Sequence, residues 1–511
     1  MEVVRNSVLC RRLMPLWYLL AGYYEYSILA KVFRGIASGW GKACSGSVLI
    51  RFLTREGVLS RAWKRSVTCR ALSILLNLPG ALLRWVYLKA KPVFDGSGAA
   101  RLVFNLVEEV PAAAGWLMLG ILVIPYAKWN NGYALAGFML LLLFTVAGWM
   151  RKGTGKLDLT ALGPYLTGFG ILILLSCAWS YYFSLSARFL YYHLACGFCV
   201  LVIVASVERR DQLMRLLSCV TTGLVVVSVY GVVQRIQGVP VNASYVDLTV
   251  NEGMPGRVFS MYENPNAFGE ILVLLIPLAI ALMLGSRGWL GRFWGFLGTA
   301  LGSVSLAMTY SRAGWLGLLV AVFLFVLLWN RKVIPAVLIL GVAAVPLLPD
   351  TVLHRILTIF NMSDTSTTSR FPLYQAAGRL LKLHPIHGVG LGSDAVRQAV
   401  SDLNLYHGKA PFVHCHDVYL QVWTETGILG LLAFLGSAGW TLKKAAGTVA
   451  HKKGDRRTRL SIVGGISAVI GVMICGIADY IWHYPRVMLV FWFVFALTLA
   501  GIRLAAREQE A

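Results

Sequence analysis

The sequence predicts an all-α integral membrane protein, a bundle of about twelve transmembrane helices with a large, partly helical extracytoplasmic loop between helices nine and ten. Three observations predict it. Of 511 residues, 57% are hydrophobic and only 14% charged, against about a quarter charged in soluble domains. Apolar runs of the length needed to cross a hydrocarbon core, about twenty residues, recur along most of the chain. Basic residues collect in every second loop between those runs.

The apolar runs lie near 111–127, 132–150, 159–178, 188–207, 213–233, 266–285, 289–309, 313–330, 333–349, 416–440, 460–480 and 487–504. The basic loops contain Arg151 and Lys152, Arg209 and Arg210, Arg287 and Arg292, Arg331 and Lys332, and the run from Lys443 to Arg459. Each follows an even-numbered run, so one alternation places both termini in the cytoplasm. The net charge of +24 then reads as attraction to anionic membrane lipid, and nucleic acid is not implied.

Residues 1–110 form a basic arm with sixteen Lys or Arg, and apolar pieces such as 71–90 are broken by Pro79 and Arg84. The expectation is amphipathic helices on the cytoplasmic membrane surface, with a disordered arm or one extra span as the alternative. The apolar stretch 13–29 is interrupted and lacks a small-residue cleavage site, so no cleavable signal peptide is expected. The cysteines give no disulfide framework; Cys196 and Cys199 have a redox spacing but lie inside an apolar run.

Two outside segments stand out, 234–265 and 350–414. A loop as long as the second is usually functional in a compact protein. Within it, Leu373, Ala377, Leu380 and Leu381 share one helical face, while Arg370, Arg379 and Lys382 supply the polar part. This reads as an amphipathic helix on the outer membrane surface.

Arg257, Arg312, Arg370 and His416 all fall at or just outside the external boundary. Guanidinium stays charged and grips phosphate oxygens through a planar fork, so three arginines on one side suit a diphosphate. Histidine accepts a proton near neutral pH. Taken singly, the arginines have a simpler reading as headgroup anchors or helix caps, and His416 as a cap. His384, His387, His407 and His414 share the loop with His416, but no clustered carboxylates accompany them to hold a divalent ion, so no metal is expected. Glu270 and Glu425 lie inside spans and read as interhelical hydrogen bonds facing the bundle interior. Glu425 sits half a turn out of phase with His416 and is not expected to touch it. Asp479, His483 and Arg486 read as a helix-terminating turn.

Four stretches, in order, resemble the O-antigen ligase and O-antigen polymerase superfamily of bacterial membrane glycosyltransferases. They are Gly256-Arg-Val-Phe with Asn264-Pro-Asn266, Tyr310-Ser-Arg-Ala-Gly-Trp315, Arg370 with Pro385-Ile-His-Gly-Val-Gly-Leu-Gly392, and His416-Asp-Val-Tyr-Leu420. The resemblance covers about residues 110–505 and leaves the basic arm aside. It implies a GT-C-like bundle in the bacterial inner (plasma) membrane with its active site outside. It also implies an undecaprenyl-diphosphate-linked glycan as donor, no cofactor, His416 as base, and Arg312, Arg370 and Arg257 as diphosphate ligands. His414, Asp417, Tyr419, Asn264, Asn266, Gly390 and Gly392 are possible supporting residues. The family's usual Asn after the histidine is Asp417 here, which bears on the acceptor contact or on the orientation of His416. Gly388, Gly390 and Gly392 read either as backbone that approaches sugar or as a flexible turn.

The function expected is metal-independent single displacement onto an acceptor hydroxyl. A ligase acting on a glycan or lipid acceptor, a polymerase and a protein O-oligosaccharyltransferase all fit this donor chemistry, and the acceptor stays open. A transporter or flippase is the reading from a different class. It predicts internal repeats and polar groups near midplane, which the sequence does not display.

Overall fold

The computed structural model describes residues 47–510, except 56, 154–155, 243–252, 348, 358–367 and 409–410, together with isolated positions between 15 and 42. Most of the 13–29 stretch and parts of both outside segments lie outside the described residues. The described residues contain helices and loops without strands. The helices are α1 Val48–Thr54, α2 Val58–Arg65, α3 Val67–Lys89, α4 Lys91–Gly96, α5 Gly98–Glu108, α6 Val110–Val123, α7 Gly132–Lys152, α8 Leu159–Ala178, α9 Phe183–Ser206 and α10 Arg210–Gln237. They continue with α11 Pro265–Gly285, α12 Trp289–Met308, α13 Arg312–Asn330, α14 Ile334–Ala344, α15 Asp350–Leu357, α16 Phe371–Leu383, α17 Ser393–Asp402, α18 Val418–Ala450, α19 Arg456–Cys475 and α20 Pro485–Glu510.

The protein is an all-α integral membrane protein. By length and apolarity ten of the described helices can cross a membrane, or eleven if α5 and α6, bent by 67°, make one span. Three of the expected runs fall outside that count for physical reasons, while α3 enters it. Helix α6 has only 14 residues. Glycine, serine and threonine dilute the apolarity of α12. Helices α13 and α14 run on as one apolar stretch, Arg312–Ala343. The backbone nevertheless breaks at Asn330 (φ −153°, ψ 82°). Tyr310 Oη then meets Thr351 Oγ1 at 3.2 Å, so residues 331–349 return the chain to the end of the bundle where α13 began.

Helix α3 also has the length and apolarity of a span. Its middle, however, sits at the level of an inter-helix loop: Asn77 Nδ2 donates to Leu157 O at 2.8 Å and Asn77 Oδ1 accepts from Leu157 N at 2.9 Å. Arg84 reaches Trp149 O and Trp63 reaches Leu159 O, so α2 and α3 lie against the loop end of α7 and α8.

The core is built by α11, α19 and α20, whose apolar residues are almost wholly enclosed. Close packing rests on absent side chains: a Cβ on Gly471 would sit 2.7 Å from the Gly317 carbonyl. Polar contacts divide the bundle into two ends. One holds the basic loops, with Arg210 against Asp455 and Arg456 over the Trp329 ring. The other holds Asn264, Arg312, His416 and Asp479, which line a common cavity.

Candidate active site

The cavity at that end has a volume of about 580 Å³. Arg257, Arg312 and Arg370 line it together with His414, His416, Asn264, Asn266 and Glu270. Residues separated by long stretches of sequence thus meet because every second helix returns to this end.

Three short turns hold the charged groups. Asn264 caps α11, its Oδ1 accepting from Asn266 N at 2.8 Å and Ala267 N at 2.9 Å. Arg257, buried just before it, donates from Nε to Thr309 O at 2.7 Å and from its terminal nitrogen to Asn266 Oδ1 at 2.6 Å. Ser311 caps α13 through Gly314 N at 3.3 Å and delivers Arg312 to the cavity wall. Asp417 caps α18, accepting from Tyr419 N and Leu420 N at 2.8 Å each. Asparagine caps a helix equally well, so the departure at Asp417 keeps the geometry and adds a negative charge at the positive helix end.

The preceding residue, His416, has φ 48°. Histidine tolerates this left-handed region better than most side chains, and the turn carries the imidazole off the helix end. Its Nδ1 lies 3.3 Å from Asp479 Oδ1, a charge contact without the alignment of a hydrogen bond. Asp479 is fixed from its other oxygen by Asn266 Nδ2 at 3.1 Å. Burial pushes the Asp479 carboxyl up, but His416, His414 and Arg370 outweigh it and hold the group below the usual carboxylate range. His414 is 5% exposed, and its Nδ1 accepts the His416 backbone N–H at 3.1 Å. Burial first, then the neighbouring His416 and His483, depress its ring to about 3, so it is neutral at physiological pH. With Nδ1 of His416 turned to a carboxylate, Nε2 is the nitrogen available as a base.

One atom each from His414, His416 and Asp479 lie within 4.8 Å of one another, a spacing able to hold a metal ion. Four arginines line the same cavity, Arg355 being the fourth. Their summed charge favours an anion there over a second cation.

Several expected residues lie elsewhere. Gly390 and Gly392 do not line the cavity. A Cβ at Gly390 would meet Ser180 and Ser186, and one at Gly392 would meet Phe189. They let the loop after α16 pack against a break in α18 at Gly427 (φ 74°). There Val389 N and Gly390 N bond the freed carbonyls of Thr424 and Glu425 at 2.9 and 3.3 Å. Tyr419 donates to Met473 O at 2.6 Å, an interhelical tie outside the cavity lining. His384 and His387 cluster with Tyr181, and His407 is exposed. The apolar face of α16 is covered by protein, Val396, Val400 and Phe412 among its neighbours, where the membrane surface was expected. Glu425 accepts from Gln421 at 2.8 Å and Tyr480 at 3.1 Å without reaching His416, as its helical phase predicts. Asp479, Arg355 and Tyr484 are site residues that the sequence reading missed. Asp479 looked like a helix terminus, and only its place between two apolar runs on the side expected to be external hinted at more.

Residues 297–435 match the family model described as O-antigen ligase. The chain carries an O-antigen ligase domain. The matched segment contains Arg312, Arg370 and His416, while Arg257 and Asp479 lie on either side of it. A protein of Haemophilus influenzae described as uncharacterized is 25% identical over 189 residues, 33% of this chain. The match covers 47% of that relative, so the chain spans about half its length. The protein is a multi-pass membrane protein in which residues 297–435 are similar to the O-antigen ligase family.

Proposed function

We propose that the protein transfers a glycan from an undecaprenyl-diphosphate donor to an acceptor hydroxyl on the extracytoplasmic face of the bacterial inner membrane. The observation that carries this is the convergence of Arg257, Arg312, Arg370 and His416 on one cavity. In the step envisaged, the acceptor oxygen attacks the anomeric carbon and its proton passes to His416 Nε2. The bond from that carbon to the diphosphate oxygen breaks, and undecaprenyl diphosphate leaves with its electron pair. Asp479 holds the ring and balances the imidazolium. The guanidinium groups stabilise the growing diphosphate charge, a contribution of several kcal/mol in a preorganised, water-poor site. A single displacement inverts the anomeric configuration. Segregation of the basic loops at the far end of the bundle supports an extracytoplasmic cavity.

The acceptor defines the subtype, and ligase is the reading adopted over polymerase and protein O-oligosaccharyltransferase. The test is purified protein with lipid-linked glycan and a panel of saccharide, lipid A-type and peptide acceptors. Wild type is expected to form an inverted glycosidic bond, and His416→Ala, folded by its elution profile, is expected to form none. Undiminished transfer by that variant removes His416 as base, and translocation of donor without bond formation favours a flippase.

A further inference from the structure

A second cavity, of about 460 Å³, shares Arg257 with the first. Its chemistry is different. Among the described residues its wall contains no lysine or arginine apart from Arg257, and its lining includes Tyr126, Tyr230, Gln234, Gln237 and Glu263. Gln234 is spent on the fold: its Oε1 accepts from Ser260 N at 2.7 Å and its Nε2 donates to Ser260 O at 3.2 Å. This fixes the end of α10 against the segment that carries Arg257. Gln237, Glu263 and the two tyrosines are left on the exposed rim.

We infer that this cavity is a saccharide subsite, adjoining the diphosphate cavity across Arg257. An amide and a carboxylate offer both donors and acceptors to vicinal hydroxyls, the combination a sugar satisfies and a lipid tail does not. Tyr126 and Tyr230, 48% and 40% exposed, supply aromatic rings of the kind that pack against the apolar C–H side of a pyranose. A second anion is disfavoured because the wall also carries the Glu263 carboxylate, and the Arg257 guanidinium donates to Asn266 and Thr309. Arg257 is the shared wall, so a saccharide here lies next to a diphosphate held by Arg312 and Arg370. The assignment of a sugar rests on the transfer reading above, while its test does not require turnover.

The probe is the free oligosaccharide released by mild acid from lipid-linked donor of cells expressing the protein. Its binding to the full chain in nanodiscs is followed by saturation-transfer NMR and titration. The double variant Gln237→Ala/Glu263→Ala is expected to weaken binding roughly tenfold or more, as the loss of two hydrogen-bonding groups predicts. An elution profile and Tm of the double variant that match wild type control for folding. Equal binding by wild type and the double variant overturns the subsite, as does absence of binding to wild type. In the transfer assay the double variant raises KM for donor if the subsite holds donor glycan, or for acceptor if it holds acceptor. A change in neither KM overturns the subsite. If the transfer reading itself fails, His416→Ala loses nothing in turnover while the binding result stands.

Discussion

Replacing Asp479 by Asn removes one negative charge and leaves the shape almost unchanged. In the wild type that carboxylate lies 3.3 Å from His416 Nδ1, with its own side chain 13% exposed. Two unit charges at this distance attract by about 5 kcal/mol at an effective dielectric of about 20. The imidazole is 36% exposed, so solvent screening reduces the usable part, to about 2–3 kcal/mol. This stabilises the imidazolium formed in the transition state far more than the neutral ring of the ground state. Asp479→Asn should therefore lower kcat about a hundredfold, since each 1.4 kcal/mol is about a factor of ten. KM for the donor should change less than about threefold. The assay is initial-rate transfer across a pH series with the purified protein in nanodiscs. A kcat within twofold of wild type refutes the pairing. A fall in kcat accompanied by a lowered Tm assigns Asp479 a structural role instead.

Four further predictions follow from the same fold. Arg312→Lys or Arg370→Lys keeps the charge but loses the fork, and kcat/KM should fall about tenfold to a hundredfold in the transfer assay. Transfer should persist in excess EDTA, and added zinc should inhibit by occupying His414, His416 and Asp479, within 4.8 Å of one another; loss of transfer in EDTA with recovery on metal would overturn the metal-free step. Buried His414, held to about 3 against an ordinary 6.5, stays neutral in the folded chain while the unfolded chain takes up a proton. Between those pH values stability falls as pH falls, by up to about 1.4 kcal/mol per unit, and thermal unfolding of His414→Gln should show a shallower slope. Asp479 acts in the same direction at lower pH: its depressed carboxyl leaves the unfolded chain binding the extra proton below the usual carboxylate value. Gly427→Ala should cost about 2–4 kcal/mol, read as a lowered Tm. The added Cβ would lie 1.8 Å from Ile386 O at a φ of 74°.

What was legible in the sequence was whatever depends on composition and on local order along the chain. Low charge and recurring apolar runs dictate a helical bundle, and basic loops mark one end of it. Arg257, Arg312, Arg370 and His416 were legible as a set because each sits beside a helix-starting turn on the same side. Pairing across the bundle was not legible. Asp479 reaches His416 because α19 is long enough to return to the cavity end, and nothing local to Asp479 says so. The glycines from Gly388 to Gly392 have the same composition whether they cradle a ligand or a helix break. Only the freed carbonyls at Thr424 and Glu425 decide between the two. The apolar stripe of α16 announces burial, but it carries no mark of whether lipid or α17 provides the cover. Length and apolarity alone undercount crossings where short or glycine-diluted helices are held by their neighbours.

The most direct measurement is a cryo-EM structure of the protein in nanodiscs with a non-transferable undecaprenyl-diphosphate glycan analogue. The account predicts diphosphate density within hydrogen-bonding reach of Arg312 and Arg370, with the anomeric carbon turned toward His416 Nε2. Diphosphate density at the basic-loop end of the bundle, or lying on Arg312 and Arg370 with the sugar pointing away from His416, would contradict it.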